Sequence, residues 1–570
     1  MTIKQEIEKL IREAVRGFGK VGEIPLEHPE NPDHGDYATS VAFALAKQLG
    51  KNPQEVAKEI ASKFDIQNSK FLDKVEVVGG FVNFYLSAKV FEATLQAVLK
   101  EEEKFGKGSV LKGKNIMVEY AHPNTHKEMH IGHMRTLVTG EALCRIFEAA
   151  GAKVFRANYQ GDVGPHVAKA IWGTEKLLAE RDTSWEDAEK LSLSEKAHLL
   201  GQGYVKGNQE YENSKQEIDA LNKKLYQQDK EVAGVYERTR KWSLDYYDSF
   251  YKRFDTKFNK LYFESQVAGL GKSIVLKNIG KVFEESQGAI VFKGEQYGLH
   301  TRVFVTQDGN PTYEGKEMGL APTQHKDFPF DLNIHVVANE QAGYFQVVFK
   351  ALELIDEKFK GKEYHLSMGM VQLVGKKMSS RTGVLVTVDG LLDDVKELLA
   401  QLITSEGFTP QEKEEVKETG TVAAVKYSVL KTDTKANVLF DLARSVALDG
   451  NSGPYLLYTY ARCKSILRKE KASNKQIKIS NVAKEELDIL RLMYRFPEVV
   501  QEAAEKYAPN LVCAFAFDLS QKYNAFYNAH SVLQADTPEQ KEFRLQLCAA
   551  CAQLLQNSLH LLGIQTLEKM

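Results

Sequence analysis

The chain has few cysteines, no excess of either charge and no long apolar run. Five cysteines in 570 residues cannot form a disulfide framework, so we expect a protein of the reducing cytoplasm rather than a secreted scaffold. Lys and Arg number 75 against 77 Asp and Glu, a formal net charge of −2, so any surface for a polyanion must be a local patch. Because no apolar run approaches the roughly 18 residues of a membrane span, we expect no membrane partner.

The length and composition predict several packed domains. The chain is about four times as long as a typical domain, and its 43% of hydrophobic residues suffices for large cores. The patterns of apolar residues predict an α+β segment at 1–108 and an α/β segment at 109–392 with a helical insertion at 174–262. A helical connection at 393–450 and an all-helical segment at 451–570 follow.

The α/β segment opens with a βαβ pattern. A strand at 116–120, a helix at 134–150 and a strand at 154–159 predict the start of a parallel nucleotide-binding sheet. No G-x-G-x-x-G follows the first strand, so a dehydrogenase-type dinucleotide fold lacks its main support. Gly271-Lys272-Ser273 resembles the end of a Walker A loop, but Gln266 stands where the first glycine is required.

The loop between the first strand and its helix contains four histidines: His122, His126, His130 and His133. A zinc-protease motif needs Glu directly after its first histidine, but the cation Lys127 follows His126, so we predict no metal site. The free N–H groups and positive dipole end of a helix N-terminus instead favour a phosphate. Imidazoles at His130 and His133 can both donate to one phosphate, and Gly132 leaves room for a flat ring.

A second polar group lies at 375–383, between an apolar run and a predicted strand. Glycines at both ends make a mobile loop, and the residues between them offer charges and hydroxyls. Taken alone, this pattern is also typical of a basic surface loop. Its polar members are Lys376, Lys377, Ser379, Ser380 and Arg381.

Together the two groups resemble the HIGH and KMSKS signatures of the class I aminoacyl-tRNA synthetases. Residues 130–133 read His-Ile-Gly-His, and residues 377–381 read Lys-Met-Ser-Ser-Arg. Wider blocks look like arginyl-tRNA synthetase, and the resemblance covers essentially the whole chain. Ser380 stands where KMSKS has its second lysine; in such enzymes a lysine just before HIGH is thought to compensate, and Lys127 occupies that place. The wider blocks are 119–133, 161–164, 369–383 and 451–458.

The resemblance implies an ATP-dependent arginine–tRNA ligase. It implies a Rossmann-type catalytic domain, an N-terminal domain for the tRNA elbow and a helical anticodon-binding domain. The expected substrates are ATP, L-arginine and tRNA-Arg, with Mg²⁺ as cofactor, in a cytoplasmic monomer. The implied catalytic residues are His130, His133, Lys127 and Lys377. The implied ATP site adds Gly132, Met378, Ser379, Ser380 and Arg381.

The resemblance also implies an arginine pocket. A guanidinium is a planar fork of donors that pairs bidentately with a carboxylate, so acidic residues are expected there. Related enzymes often have Asp where Glu317 stands, and the extra methylene leaves the contact made by Glu317 undefined. The matching positions are Glu119, Asn124, Tyr313, Glu317 and Gln341.

A local basic patch favours tRNA as the partner. Residues 461–480 contain seven Lys and Arg against one Glu, a local charge of +6. Just before it, Tyr455, Tyr458 and Arg462 follow one helical face and suit unstacked bases, although a tyrosine stripe is also typical of a core. The resemblance implies anticodon contacts for these three and for Tyr527 and Met570, and elbow contacts for Phe81 and Asn83, with Phe84 in the core.

Two other functions remain open from the sequence. The HIGH and KMSKS motifs do not by themselves determine which amino acid the enzyme uses, so a class I synthetase of another specificity is one alternative. A non-catalytic tRNA-binding paralogue is the second, although intact His130, His133 and Lys377 favour catalysis.

Overall fold

The computed structural model describes residues 2–375, 386–403, 407–473, 475, 477–479 and 481–570. Along the chain, a small mixed unit is followed by a parallel sheet with helices and then by a long helical region. One large cluster of buried apolar side chains runs through all three, from Ile7 through Leu143 to Leu559. Within the described ranges, no helix is both long and apolar enough to cross a membrane.

The N-terminal unit packs helices against a small antiparallel sheet. Its elements are α1 (Ile3–Ala14), β1 (Leu26–Glu27), β2 (Tyr37–Thr39), α2 (Val41–Leu49), α3 (Pro53–Ala61), β3 (Leu72–Val78), β4 (Phe81–Leu86) and α4 (Ala88–Glu101). The strands β3 and β4 pair antiparallel as a hairpin. Gly79 and Gly80 have φ values of 60° and 105°, and this left-handed region, which glycine reaches without strain, reverses the chain.

The central region alternates strands and helices. It comprises β5 (Asn115–Glu119), α5 (Ile131–Ala149), β6 (Lys153–Gln160), α6 (Pro165–Glu180), α7 (Trp185–Ala188), α8 (Leu193–Gln209), α9 (Tyr211–Tyr226), α10 (Lys230–Arg253), β7 (Lys260–Phe263), α11 (Glu264–Lys277), β8 (Glu284–Ser286), β9 (Ala289–Phe292), β10 (Arg302–Val305), α12 (Tyr313–Asp327), β11 (Leu332–Ala338), α13 (Ala342–Ile355), β12 (Glu363–Met368) and β13 (Val371–Leu373). The predicted βαβ unit is confirmed as β5, α5 and β6, with the helix beginning three residues earlier than expected, at Ile131 rather than Met134. The helical insertion begins at Pro165 and gives way to β7 at Lys260, so the end of the predicted insertion is a sheet strand.

The five parallel strands of the main sheet have the order β12-β11-β5-β6-β7. From β5, the chain continues to β6 on one side, whereas the later strands β11 and β12 join on the other side. The strand order therefore reverses direction between β5 and β11, and a crevice forms beyond their carboxyl ends, where ligands of such sheets bind. In this register Glu119, the last residue of β5, lies opposite His335 of β11 and Ala157 of β6.

The remaining described residues are almost entirely helical. They form α14 (Val388–Leu402), α15 (Pro410–Leu430), β14 (Val438–Phe440), α16 (Leu442–Ser445), α17 (Gly453–Lys469), α18 (Lys484–Met493), α19 (Phe496–Lys506), α20 (Pro509–Ala529) and α21 (Pro538–Leu561). The short strands β13 and β14 pair in parallel as a separate two-stranded sheet that joins this region to the central one. All five cysteines of the chain are buried and free.

A buried lysine joins three parts of the chain. Lys426 of α15 is 1% exposed, and its Nζ donates hydrogen bonds to two backbone carbonyls. One is the Phe254 oxygen at the end of α10, 2.6 Å away, and the other is the Gly563 oxygen just after α21. Burial lowers the pKa of Lys426 to about 7. The lysine therefore links the insertion, the connecting helix and the C-terminal helix at one point.

Replacing Lys426 by Met should destabilise the fold. Each buried carbonyl left without a donor costs about 1–3 kcal/mol, so we expect the free energy of unfolding to fall by about 2 kcal/mol or more. Chemical denaturation followed by circular dichroism measures this. The matched control is Lys435→Met, at an exposed position, and equal losses in the two variants would contradict the assigned role of Lys426.

Candidate active site

A cleft of about 530 Å³ lies beyond the carboxyl ends of β5 and β11. The loop after β5 and the first turn of α5 form one wall, and residues 368–371 and 386–387 form the opposite wall. The two walls are hydrogen-bonded: Ile131 N–H donates to the Val386 carbonyl at 3.2 Å, and Val388 N–H donates to the Met129 carbonyl at 2.9 Å. Tyr204 of α8 also contributes to the lining.

His130 and His133 begin helix α5 and form its N-terminal cap. The His130 Nδ1 accepts the Gly132 N–H at 3.1 Å, and the His133 Nδ1 accepts the His130 N–H at 3.5 Å. Their rings stack with centroids 3.7 Å apart. Because each Nδ1 accepts a hydrogen bond, each neutral ring must carry its own proton on Nε2. The helix start therefore presents two imidazole N–H donors, while the Ile131 and Gly132 backbone N–H groups are already bonded, to Val386 and to the cap.

Both of these histidines are uncharged at neutral pH. Burial, with the nearby Lys127 cation, lowers the pKa of His130 to about 4. Burial, with His130 and Lys127, lowers the pKa of His133 well below its ordinary value. The space over Gly132 is taken by the imidazole of His130, since a Cβ added at Gly132 would lie 2.9 Å from His130 Cε1. Glycine is thus required for the cap itself.

The loop before α5 is held from outside by α10. The hydroxyl of Tyr247 donates to the carbonyls of Asn124 and Lys127, at 2.6 Å and 2.7 Å. The Lys127 Nζ lies 4.3 Å from the centre of the Tyr204 ring, and burial lowers the pKa of this amine. The sequence pattern gives no sign of Tyr247, because its partners lie more than a hundred residues away along the chain.

The second predicted group lies outside the described residues. This applies to Lys377, Met378, Ser379, Ser380 and Arg381, and no geometry is assigned to them. The segments on either side are described, and Val371, Val386 and Thr387 all line the same cleft as His130.

At the end of β5, Glu119 is buried and already paired. Its Oε1 lies 3.2 Å from His335 Nδ1, and its other oxygen accepts a hydrogen bond from the Gln324 amide. Burial alone would raise the pKa of Glu119, but the His335 cation and the hydrogen bonds from His335 and Gln324 outweigh it and lower the pKa. Glu119 is therefore an ionised carboxylate at the floor of the crevice.

Glu317 of α12 is a second buried carboxyl group near Glu119. It is 6% exposed and accepts a hydrogen bond from the Tyr344 hydroxyl at 3.0 Å. Burial, with repulsion from Glu119, raises the pKa of Glu317 to about 8. Two neighbouring buried carboxyls that resist simultaneous ionisation favour a cation as their ligand.

The other predicted arginine contacts have different environments. Asn124 is close to the backbone of Gly161, where an added Cβ would lie 2.4 Å from the Asn124 side-chain oxygen. Tyr313 is 60% exposed and Gln341 is also exposed. Among the described residues, no hydrogen bond joins Tyr313 or Gln341 to the acidic pair.

Asp162 fixes the loop after β6 next to Asn124. This buried carboxylate accepts hydrogen bonds from the Ser265 N–H at 2.9 Å and hydroxyl at 2.7 Å, and from Arg240 at 3.0 Å. The Tyr236 hydroxyl adds a fourth at 3.2 Å. The carboxylate thus joins β6, α10 and α11. His126, in contrast, is bound to Thr125 and Thr239 in the core, and burial lowers its pKa to about 3.

A separate cavity of about 820 Å³ lies in the C-terminal helical region. The Arg462 guanidinium lies between two aromatic rings, 4.8 Å from the centre of Tyr458 and 4.7 Å from that of Tyr527. Met570 and the cations Arg468, Lys469 and Lys569 also line this cavity. Tyr455 is set back from it, and its hydroxyl accepts a hydrogen bond from Asn524 at 3.0 Å.

The two predicted elbow contacts in β4 differ from each other. Phe81 is 37% exposed and packs edge-on against Phe43, with ring centres 5.2 Å apart. Asn83 is only 2% exposed and lies in the central strand β4, paired with β2 and β3, so its contact with tRNA stays a prediction. Phe84 is fully buried, as predicted.

The sequence analysis did not predict the buried polar residues of β11 and its neighbour β12. Asn333 and His335 lie on one face of a strand that is otherwise apolar, and both are buried. Since an interior parallel strand is normally apolar on both faces, this i, i+2 polar pair is a usable signal. Glu363, which bonds His335 at 2.8 Å, carries no such signal because it lies at the start of β12.

Comparison with known proteins gives one consistent result. The family model "Arginyl tRNA synthetase N terminal domain" matches residues 1–86, "tRNA synthetases class I (R), catalytic domain" matches 94–442, and "DALR anticodon binding domain" matches 456–570. The arginine–tRNA ligase of Treponema denticola is 30% identical over an alignment of 597 residues, which covers 100% of both chains. That of Clostridium beijerinckii is 31% identical over 579 residues, again with 100% of both chains covered.

Solved structures agree with these relatives. The arginyl-tRNA synthetase of Thermus thermophilus is similar with a TM-score of 0.84 and 26% identity over 100% of both chains. That of Plasmodium falciparum has a TM-score of 0.81 over 100% of both chains, and its 21% identity supports the fold alone. All four of these proteins are named for arginine, and none of them supports a class I enzyme of another specificity. Since the catalytic-domain match alone covers more than half of the sequence and the relatives match from end to end, the chain belongs to the family of arginyl-tRNA synthetases.

Proposed function

We propose that this arginine–tRNA ligase activates arginine with ATP in the crevice beyond β5 and β11, and there transfers it to the 3′-terminal adenosine of tRNA-Arg. One observation carries the assignment: the loop after β5 connects the carboxylate of Glu119, which repels the buried carboxyl of Glu317, to the uncharged N–H donors at the start of α5. A phosphate suits the N–H donors and a guanidinium suits the carboxyls. Aminoacylation assays with each standard amino acid, with and without tRNA, test it; only arginine should form the ester.

His130 and His133 are proposed to act at the α-phosphate of ATP. In-line attack by the arginine carboxylate puts negative charge on the phosphate oxygens and on departing pyrophosphate. Neutral Nε2–H groups held by the cap can stabilise this charge without moving a proton. The attacking carboxylate is already ionised, so the step needs no general base.

Lysines are proposed to hold the outer phosphates. Lys127 lines the cleft beside the histidines, and Lys377 comes six residues after Val371, which lines the opposite wall, in the sequence. Gly132, Met378, Ser379, Ser380 and Arg381 complete the proposed ATP site.

Mg²⁺ is proposed to accompany ATP rather than a protein site. Among the residues that the structure describes, no group of three or more His, Cys, Asp or Glu is arranged to hold a metal. Mg²⁺ commonly keeps its waters and binds substrate phosphates, which supports the ATP phosphates as its ligands.

The two outer regions are proposed to bind tRNA-Arg. The exposed Phe81 ring supports an elbow contact for residues 1–108. In residues 451–570, the Arg462 cavity offers rings, a guanidinium and a basic rim, which suit an unstacked anticodon base. We propose residues 109–392 as the catalytic domain and 393–450 as its connection to this region.

We also propose that the protein is cytoplasmic and monomeric. Five free, buried cysteines support a reducing cytoplasm. Sedimentation equilibrium tests the proposed monomer.

Replacing Glu317 by Gln should raise the arginine KM about 10- to 100-fold, because a hydrogen bond between charged groups contributes about 1.5–3 kcal/mol. The ATP KM should stay nearly unchanged, as the histidine end of the crevice is untouched. Steady-state aminoacylation measures both constants. Asp327→Asn, at an exposed acid on the same helix, is the control, and an unaltered arginine KM in the Glu317 variant removes it from the pocket.

The arginine KM of the wild-type enzyme should depend on pH. The cation binds the ionised Glu317, whose pKa of about 8 means that binding at lower pH must release a proton. We therefore expect the KM to rise up to about tenfold per pH unit below about pH 8 and to level off above it. The pH dependence of the arginine KM should vanish in Glu317→Gln. If it persists in that variant, another titrating group causes it.

Replacing Arg462 by Ala should weaken tRNA-Arg binding about tenfold or more, since stacking on a base contributes about 1–3 kcal/mol. Filter binding with labelled tRNA measures the affinity, and the ATP KM should not change. Lys471→Ala removes the same charge from an exposed position of the basic patch. Equal losses in both variants would mean that only net charge matters at Arg462.

A further inference from the structure

His335 and Glu363 are buried ionisable groups with no role in the assignments above. His335 is in β11, between Glu119 of β5 and Glu363 of β12. Its Nδ1 is 3.2 Å from the Glu119 Oε1, and its Nε2 is 2.8 Å from the Glu363 Oε2. The three side chains are 2–3% exposed and form a continuous line across adjacent strands.

The imidazole in this line is a cation. Burial alone would lower the pKa of His335, but the two carboxylates outweigh it and raise the pKa well above its ordinary value. Both ring nitrogens then donate, one to each glutamate. The rings of Phe345 and Phe349 cover the imidazole from α13, with centres 5.1 Å and 5.3 Å away. Two carboxylates and one imidazolium leave this triad with a net charge of −1.

The remaining neighbours do not cancel that charge. Gln324 and Asn333 contribute amides, and the pKa values of His122 and His365 are lowered, chiefly by burial, so both are neutral. Glu317 of α12 can only add negative charge. One oxygen of Glu363, Oε1, is buried and has no hydrogen-bond partner among the described residues. The cluster therefore lacks one positive charge.

We propose that His335 and Glu363 are positioning residues for arginine recognition: the imidazolium keeps Glu119 ionised and oriented, and Glu363 keeps the imidazolium charged and fixed in its plane. This inference depends on the proposed arginine pocket at Glu119 and Glu317. Without the imidazolium, a carboxylate buried as deeply as Glu119 would take up a proton rather than remain charged. A cationic substrate supplies the charge that the triad lacks, whereas a neutral amino acid cannot.

The variant His335→Gln separates this role from simple packing. Glutamine keeps a hydrogen-bonding side chain but removes the cation, so the pKa of Glu119 should rise and the carboxylate should protonate near neutral pH. We expect the arginine KM to rise about tenfold or more at about pH 7, while kcat and the ATP KM stay within about twofold. The ratio of variant to wild-type arginine KM should fall as the pH is raised from about 6.5 to about 9, because Glu119 ionises again.

Glu363→Gln provides a second test that preserves the side-chain volume. It removes one negative charge and leaves His335 bonded to an amide oxygen, so the cluster attracts a cation less strongly. We expect the arginine KM to rise about 3- to 10-fold, with the ATP KM unchanged. The matched control for the His335→Gln variant is His325→Gln. His325 lies between Phe330 and Phe359, where it contacts neither glutamate of the triad.

The outcomes decide between the explanations. A His335→Gln effect that is the same at every pH, or that lowers kcat and raises the ATP KM in parallel, would overturn the proposal. If Glu317→Gln raises the arginine KM but neither triad variant does, only this inference fails. If none of the three variants changes the arginine KM, the pocket assignment itself fails.

Discussion

The position of β5 in the parallel sheet is the constraint on which the site depends. Its neighbours are β6, reached through α5, and β11, reached much later along the chain, so the helices that follow the two strands leave on opposite sides of a gap. Glu119 ends the strand inside that gap, and the loop that follows carries the histidines to its rim. The positions of Glu119, of the histidines at the start of α5 and of His335 on the adjacent strand all follow from this strand order.

The crevice combines two opposite electrostatic environments. At the start of α5, burial keeps the imidazoles neutral, so anion binding relies on N–H groups and the helix end. At the floor, the buried carboxyl groups of Glu119 and Glu317 favour a cation. The proposed substrate, a zwitterion with a side-chain cation, would fit both ends in one orientation, with its carboxylate towards the phosphate.

The sequence predicted local elements and motifs better than long-range contacts. The apolar spacing located β5, α5 and β6 to within a few residues, because periodicity is a local property. The apolar spacing placed the start of α5 three residues late, at Met134, whereas the His-Ile-Gly-His motif lies at the observed start. Lys426, Tyr247 and Glu363 could not be predicted, since each acts through partners on distant elements. The burial of Asn83 could not be predicted for the same reason, because it depends on how other parts of the fold cover β4.

His130 caps α5 and is proposed to bind a phosphate of ATP, and this proposed double use has a consequence for engineering. Ser, Thr, Asp and Asn are the side chains that cap helices best, so a stability-driven redesign would replace the histidine at the start of α5. The replacement would strengthen the helix and delete an N–H donor from the cleft. Thermostability and turnover therefore compete for a single position, and sequences selected only for folding should drift away from histidine there.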